Sequence, residues 1–236
     1  MKIAWDMETG DPDDFLTLLL LLGHPKVDLV SVTVTPGTRE QIGLVQQVLK
    51  RFNREDIPVG GWRGDTKEEA RANQLDPNGK RRVSGWHYRA YDWLTPTLCM
   101  DDVEPGWKVL ERVLGPNTTL VTGAPLKNLG ELLREMSLRL YDHTPNLGRI
   151  FVQGGFAGEG VVPADQQLEK FKGKVTVPTY NLNGDPKSAL RLLDVARRGW
   201  FSEVRFVSKN VCHGVKYDQD MHLKFLLSMH GLCGHK

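Results

Sequence analysis

Cysteine is scarce: Cys99, Cys212 and Cys233 stand far apart in a chain of 236 residues. An odd, scattered set with no Cys-x-x-Cys pair provides neither a disulfide framework nor a thiolate zinc site. An excess of one charge is also missing, because 31 Lys+Arg face 29 Asp+Glu for a net charge of +2. That balance excludes a strongly basic nucleic-acid binder. With 40% hydrophobic and 25% charged residues, an acidic disordered tail is excluded as well. Long apolar runs are absent too. The longest, Leu18 to Leu22 with Phe15 and Leu16 ahead of it, falls short of the ~18 residues of a membrane span and reads as a buried helix. Without a recognisable leader, and with this cysteine usage, the expectation is a reducing, cytoplasmic setting with neither membrane nor nucleic acid as partner. No repeat, low-complexity tract or linker interrupts the chain, so residues 1–236 read as a single domain of the size common for α/β folds.

What is present is an alternation of two periodicities. Lys2 to Trp5 reads as a strand ending at Asp6, and Phe15 to Leu22 as a helix stopped by Gly23 and Pro25. Val27 to Thr35 alternates and is β-branched, a second strand. Thr38 to Arg51 follows as a helix with Ile42, Val45, Val48 and Leu49 at helical spacing. Pro58 to Gly60 is a short third strand. Helices are predicted near Trp107–Leu114, Leu126–Leu138, Asp185–Arg198 and Asp218–Met229, and strands at Thr118–Thr122, Arg149–Gln153 and Glu203–Val207. Strands alternating with helices predict an α/β fold with a mostly parallel, doubly wound sheet flanked by helices. Residues 67–92, rich in charge but carrying Trp86, His87, Tyr88 and Tyr91, show no clear period and read as a lid loop.

In parallel α/β sheets ligands bind where loops leave the carboxyl ends of strands. Directly after the first strand, Asp6, Glu8, Asp11, Asp13 and Asp14 place five carboxyls within nine residues. Their mutual repulsion calls for a cation or for hydrogen-bond donors. Hard oxygen ligands at this density suit Ca²⁺, with Mg²⁺ as the lesser choice. A second strand end, Thr122 to Asn128, offers a backbone carbonyl at Thr122. A third, Gly154-Gly155-Phe156, allows close backbone approach and is followed by Asn181 and the Asp185-Pro186 helix start. A fourth carboxylate stands at a helix entrance, in Tyr217-Asp218-Gln219-Asp220.

In this order the motifs resemble the nucleoside hydrolase family, the inosine-uridine preferring N-ribohydrolases. They are Asp-x-Glu-x-Gly with a following Asp-Asp, then Thr-Gly-x-Pro-Leu-x-Asn, a Gly-Gly strand end, Asn-x-x-x-Asp-Pro and a late carboxylate. The resemblance runs from Lys2 to about Phe225 and implies a short, divergent member with the nucleoside-hydrolase fold. It implies calcium-dependent hydrolysis of the N-glycosidic bond of a nucleoside or related riboside, and a homo-oligomeric state as in other members. Glu8, Asp14, Thr122 and Asp218 are then the expected metal ligands, Glu8 and Asp14 the catalytic carboxylates, and Asp13, Asn181 and Asp218 the groups facing the sugar. Asp11 competes with Glu8 for its register, because the turn is one residue longer than the family signature, and Asp220 competes with Asp218. His87 and Tyr91 are candidates to protonate the leaving base. Two positions depart from the family: Gly37 stands for an asparagine and Thr179 for a glutamate, both of which normally touch the sugar.

Two other readings compete. A calcium-dependent sugar or nucleoside binding module would keep the fold without turnover. Asp6-Met7-Glu8-Thr9 also resembles the Asp-x-Asp-x-Thr motif of haloacid-dehalogenase-type phosphatases, in which the first Asp is the nucleophile.

Overall fold

The computed structural model describes residues 1–62, 83–139, 144–216, 218–221 and 223. They form two compact units, one made of residues 1–155 and 178–207 and the other of residues 156–177 with those from 208 onward.

The larger unit carries the sheet. Its elements run in the order β1 (Lys2–Met7), α1 (Pro12–Gly23), β2 (Asp28–Val34), α2 (Arg39–Arg51), β3 (Val59–Gly61), α3 (Gly85–Ala90), β4 (Glu104–Pro105) and α4 (Gly106–Val113). They continue with β5 (Thr118–Thr122), α5 (Lys127–Arg139), β6 (Arg149–Gln153), α6 (Tyr180–Gly184), α7 (Pro186–Arg197) and β7 (Glu203–Val207). The seven strands form one sheet in the order β4-β3-β2-β1-β5-β6-β7. Every pairing is parallel, with Asp6 level with Thr33 on one side and Thr122 on the other. The expected doubly wound parallel sheet is therefore present.

Both faces of the sheet are covered, as its near-continuous apolar strands require. Ile3, Trp5 and Met7 point from β1 into one core with Phe15 and Leu18 of α1 and Ile42, Val45 and Val48 of α2. Ala4 points the other way, into a core with Leu120, Leu129, Leu133, Ile150, Leu192 and Trp200. By the same period of two, Asp6 turns to the second face, yet it is fully buried.

The start of α2 shows how the loops are fixed. Thr38 is its N-cap, accepting the Gln41 amide, while Gln41 Oε1 accepts the amides of Thr38 at 2.9 Å and Gly37 at 3.0 Å. This capping box satisfies otherwise orphaned helix donors. The Thr35–Pro36 peptide bond just before it is cis.

The segment read as a lid divides. Residues 67–82 lie outside the described residues, but residues 85–90 form α3, with Ser84 as its N-cap. Its aromatics belong to the core: the His87 ring stacks on Phe15 at 4.8 Å and Tyr91 lies 5.5 Å from the same ring. Aromatic packing on Phe15 is where the rings of Trp86, His87 and Tyr91 find their partners. Most of the predicted helix at Asp218–Met229 also lies outside the described residues.

In the smaller unit a short helix, α8 (Lys209–Cys212), follows Ser208. Phe156 packs edge-on against Phe171 at 5.2 Å, and Phe171 against His213 at 5.5 Å. Among the described residues no helix is long and apolar enough to cross a membrane.

Candidate functional site

The acidic turn, the β2–α2 turn, Trp62 after β3 and the Thr122–Lys127 segment all leave the same edge of the sheet. Together with residues 178–184 they enclose a cavity of about 770 Å³, lined among others by Glu8, Gln41, Trp62, Lys127, Thr179 and Asn183. This is the crevice at the carboxyl ends of the strands where a parallel sheet is expected to hold its ligand.

Asp6 lies beneath the cavity and not in its lining. Its Oδ1 accepts Thr33 Oγ1 from β2 at 2.6 Å and Asn128 Nδ2 from α5 at 2.9 Å, and its Oδ2 accepts Thr122 Oγ1 at 3.3 Å. Burial pushes its carboxyl up to about 6, against the lowering effect of those three donors. A carboxylate turned into the sheet in this way is a structural tie between three strands and a helix. It is not an accessible nucleophile, which removes the phosphatase reading.

Asp14 opens α1 and is buried. Its Oδ2 accepts the Glu8 amide at 2.9 Å, and its Oδ1 presses against Gly123, where an added Cβ would collide with it. The carboxyl is thereby seated at the end of β5, next to Thr122. Burial raises it to about 8, with Asp13, Glu8 and Asp6 adding repulsion and the Glu8 amide opposing. Glu8 is half-buried at the cavity wall and caps its own turn, its oxygens accepting the amides of Gly10 and Asp11. Burial raises it as well, against those two amides, with Asp11 and Asp13 adding to the rise.

Of the other expected groups, Asp11, Asp13 and Asn181 belong to the larger unit and Asp218 and Asp220 to the smaller. Asp13 and Asp11 are exposed on the turn. Asn181 is buried, and its Nδ2 donates to the carbonyls of Gly123 at 2.7 Å and Gln153 at 3.0 Å. It ties the β5 and β6 ends together while its neighbours Thr179 and Asn183 line the cavity. Asp218 belongs to the smaller unit, where it is exposed and its Oδ1 accepts the Met221 amide at 2.9 Å, as a helix N-cap does; Asp220 is exposed too. His87 is fully buried, and neither His87 nor Tyr91 lines the cavity.

Two buried or half-buried carboxylates with raised proton affinity, seated at a strand end, fit a hard divalent cation as part of its ligand set. Among the described residues no group of three His, Cys, Asp or Glu side chains is assembled to hold a metal ion.

Local residue patterns do not point to Gln41, Trp62 or Lys127. Gln41 Nε2 donates to Thr9 Oγ1 at 2.9 Å and to the Thr35 carbonyl at 3.3 Å, fastening the acidic turn to the β2–α2 turn. Its capping-box spacing after Thr38 is the one local signal it carries. Gly37 cannot carry a sugar-contacting side chain. Its φ is +79°, and a Cβ there would lie 2.6 Å from the Gly61 backbone.

No family model matches the chain. It is 28% identical over 218 residues to an uncharacterized protein of Aquifex aeolicus, covering 91% of this chain and 66% of that one. It is 29% identical over 170 residues to a pyrimidine-specific ribonucleoside hydrolase, RihA, of Shewanella baltica, covering 67% of this chain and 48% of the other. This chain therefore spans about half to two thirds of the length of these curated relatives. Among solved structures, an inosine-uridine preferring nucleoside hydrolase from Bacillus anthracis superposes with a TM-score of 0.60 at 18% identity, over 97% of this chain and 72% of that one. The fold is that of the nucleoside hydrolases.

Proposed function

We propose that the chain is a short, divergent nucleoside hydrolase that cleaves the N-glycosidic bond of a small-molecule riboside, releasing base and sugar, with calcium as its metal. The observation that carries this reading is a pair of carboxylates: Glu8 lines the cavity, and its amide donates at 2.9 Å to the buried Asp14 carboxylate behind it. The fold and the relatives named above support the reaction class.

Glu8, Asp14 and the Thr122 carbonyl would hold the ion. A bound divalent cation polarises water and fixes a sugar diol. The chain's own groups supply the rest. Burial keeps the Glu8 carboxyl proton-hungry, which suits it to take a proton from a water at the cavity wall. Attack at C1′ of an oxocarbenium-like sugar follows the general pattern of glycoside hydrolysis. Asp13 and Asn181 are proposed to meet the ribose hydroxyls. The departing base leaves without help from His87 or Tyr91, since neither faces the cavity.

A panel of purine and pyrimidine ribosides, assayed for free base and reducing sugar with Ca²⁺, with Mg²⁺ and with EDTA, tests the reading. Turnover in Ca²⁺, lost in EDTA and in Asp14→Ala, is expected. Turnover indifferent to both would overturn it. Calorimetric binding without any released sugar would instead identify a nucleoside-binding module, a second reading favoured by Gly37 and Thr179, which depart from the family's sugar contacts.

A further inference from the structure

The cavity contains a cation for which the proposed reaction has no use. Among the described residues lining it, Glu8 and Lys127 carry the charges. Lys127 Nζ lies 3.8 Å from the centroid of the Trp62 ring, and none of the ion pairs among the described residues includes it. Packing alone does not call for an ammonium here, since an unbranched apolar side chain would cover the indole equally well. Helix polarity is against it: Lys127 opens the thirteen-residue α5, whose first turn repels cations and attracts anions. An indole face steadies an ammonium without neutralising it, so the charge stays available to the cavity. Thr179 and Asn183, which also line the cavity, are neutral hydrogen-bonding groups that place no negative charge against an anion.

We propose that Lys127, held on Trp62, binds a phosphate monoester carried by the riboside, so that the substrate class is the phosphorylated riboside, a nucleoside 5′-monophosphate, in preference to the free nucleoside. This inference rests on the function proposed above for the same cavity. In a riboside C1′ bears the leaving base, and the 2′ and 3′ hydroxyls form the diol that the acidic end would take. O5′ is the position that remains for phosphate. A lysine serves such a group as a point charge, and charge-assisted hydrogen bonds are the strong ones.

The full chain, supplied with Ca²⁺, is assayed on the pairs uridine and UMP, and inosine and IMP, as wild type, Lys127→Met and Lys127→Arg. The ratio of kcat/KM for monophosphate over nucleoside should be about tenfold or more in the wild type, largely through KM. It should collapse toward unity in Lys127→Met and survive in Lys127→Arg. A wild type that favours free nucleosides, or a ratio unchanged in Lys127→Met, would overturn the proposal; the latter result would leave Lys127 as packing on Trp62. Calorimetry with ribose 5-phosphate against ribose decides the matter separately from turnover. If no riboside is hydrolysed, the proposed function fails, while tighter binding of ribose 5-phosphate that depends on Lys127 still supports this inference and equal affinities overturn it.

Discussion

The Asp14 carboxylate occupies the space that a side chain at residue 123 would fill: a Cβ built on Gly123 would collide with Oδ1 and lie 2.8 Å from Cγ. Gly123 is therefore required for the close approach between the start of α1 and the end of β5. Gly123→Ala should displace Asp14 and lower kcat/KM for riboside hydrolysis on the order of a hundredfold, the scale expected when a reacting group is misplaced by about an ångström. The calcium-induced rise in Tm should shrink in parallel. A variant that keeps both would show that Asp14 acts from another position.

Buried carboxyls that prefer their protons make the metal-free protein pH-dependent. Asp14 is raised to about 8 and Asp6 to about 6, both above the ordinary value of 3.8, so the folded state binds protons more tightly than the unfolded state. The associated stability is complete below about pH 3.8 and is lost as pH rises, through about 6 for Asp6 and about 8 for Asp14. For Asp14 the loss is on the order of a few kcal/mol. In EDTA, Tm should fall between pH 5 and pH 8, and Asp14→Asn should flatten that slope and melt higher than wild type at pH 8. With Ca²⁺ the order should reverse, because the ion compensates a carboxylate that asparagine does not provide. Melting curves with the same slope for both proteins in EDTA would contradict this.

Asn128 holds Asp6 in place. Its Nδ2 donates to Asp6 Oδ1 at 2.9 Å and lies within hydrogen-bond distance of the Val34 carbonyl and Thr35 Oγ1. Asn128→Ala removes a donor to a buried carboxylate and should cost about 2–3 kcal/mol in denaturant unfolding. The damage should be greater at pH 8 than at pH 5, where Asp6 is largely protonated and needs the donor less. A pH-independent loss would mean that Asn128 matters for packing alone.

The strands are the most legible part of the chain. Thr118–Thr122, Arg149–Gln153 and Glu203–Val207 are delimited by β-branched residues between polar turns. The carboxylates of the site are legible because five acids crowded behind an apolar strand repel one another, so the cluster itself signals a place where something must compensate them. What escapes is set by distant contacts. Trp86, His87 and Tyr91 lack a helical stripe because α3 is six residues long and packs its rings around Phe15, so their packing does not show in the local period. Asn181 fits a ribose contact by motif, but that its Nδ2 joins the Gly123 and Gln153 carbonyls is not visible in local spacing. Lys127 on Trp62 joins residues 65 positions apart, a relation that local spacing does not contain.

His87 provides the last prediction. It is fully buried, stacked on Phe15 at 4.8 Å and edge-on to Trp86 at 5.5 Å, and neither ring nitrogen has a hydrogen-bond partner of normal geometry. Burial lowers its proton affinity, with a smaller opposing influence from the Thr9 backbone. A histidine whose folded pKa lies below its unfolded value of about 6.5 contributes stability above that pH and loses it as pH falls. His87→Phe keeps the ring stack and removes two buried, unpaired nitrogens, so it should be more stable than wild type by about 1 kcal/mol at pH 7.5. That advantage should widen at pH 5.5, because only the wild type must then force a charge into an aromatic core. Denaturant unfolding at the two pH values measures both quantities. A gap that stays constant or narrows on acidification would show that the imidazole finds a proton-stabilising partner in this core.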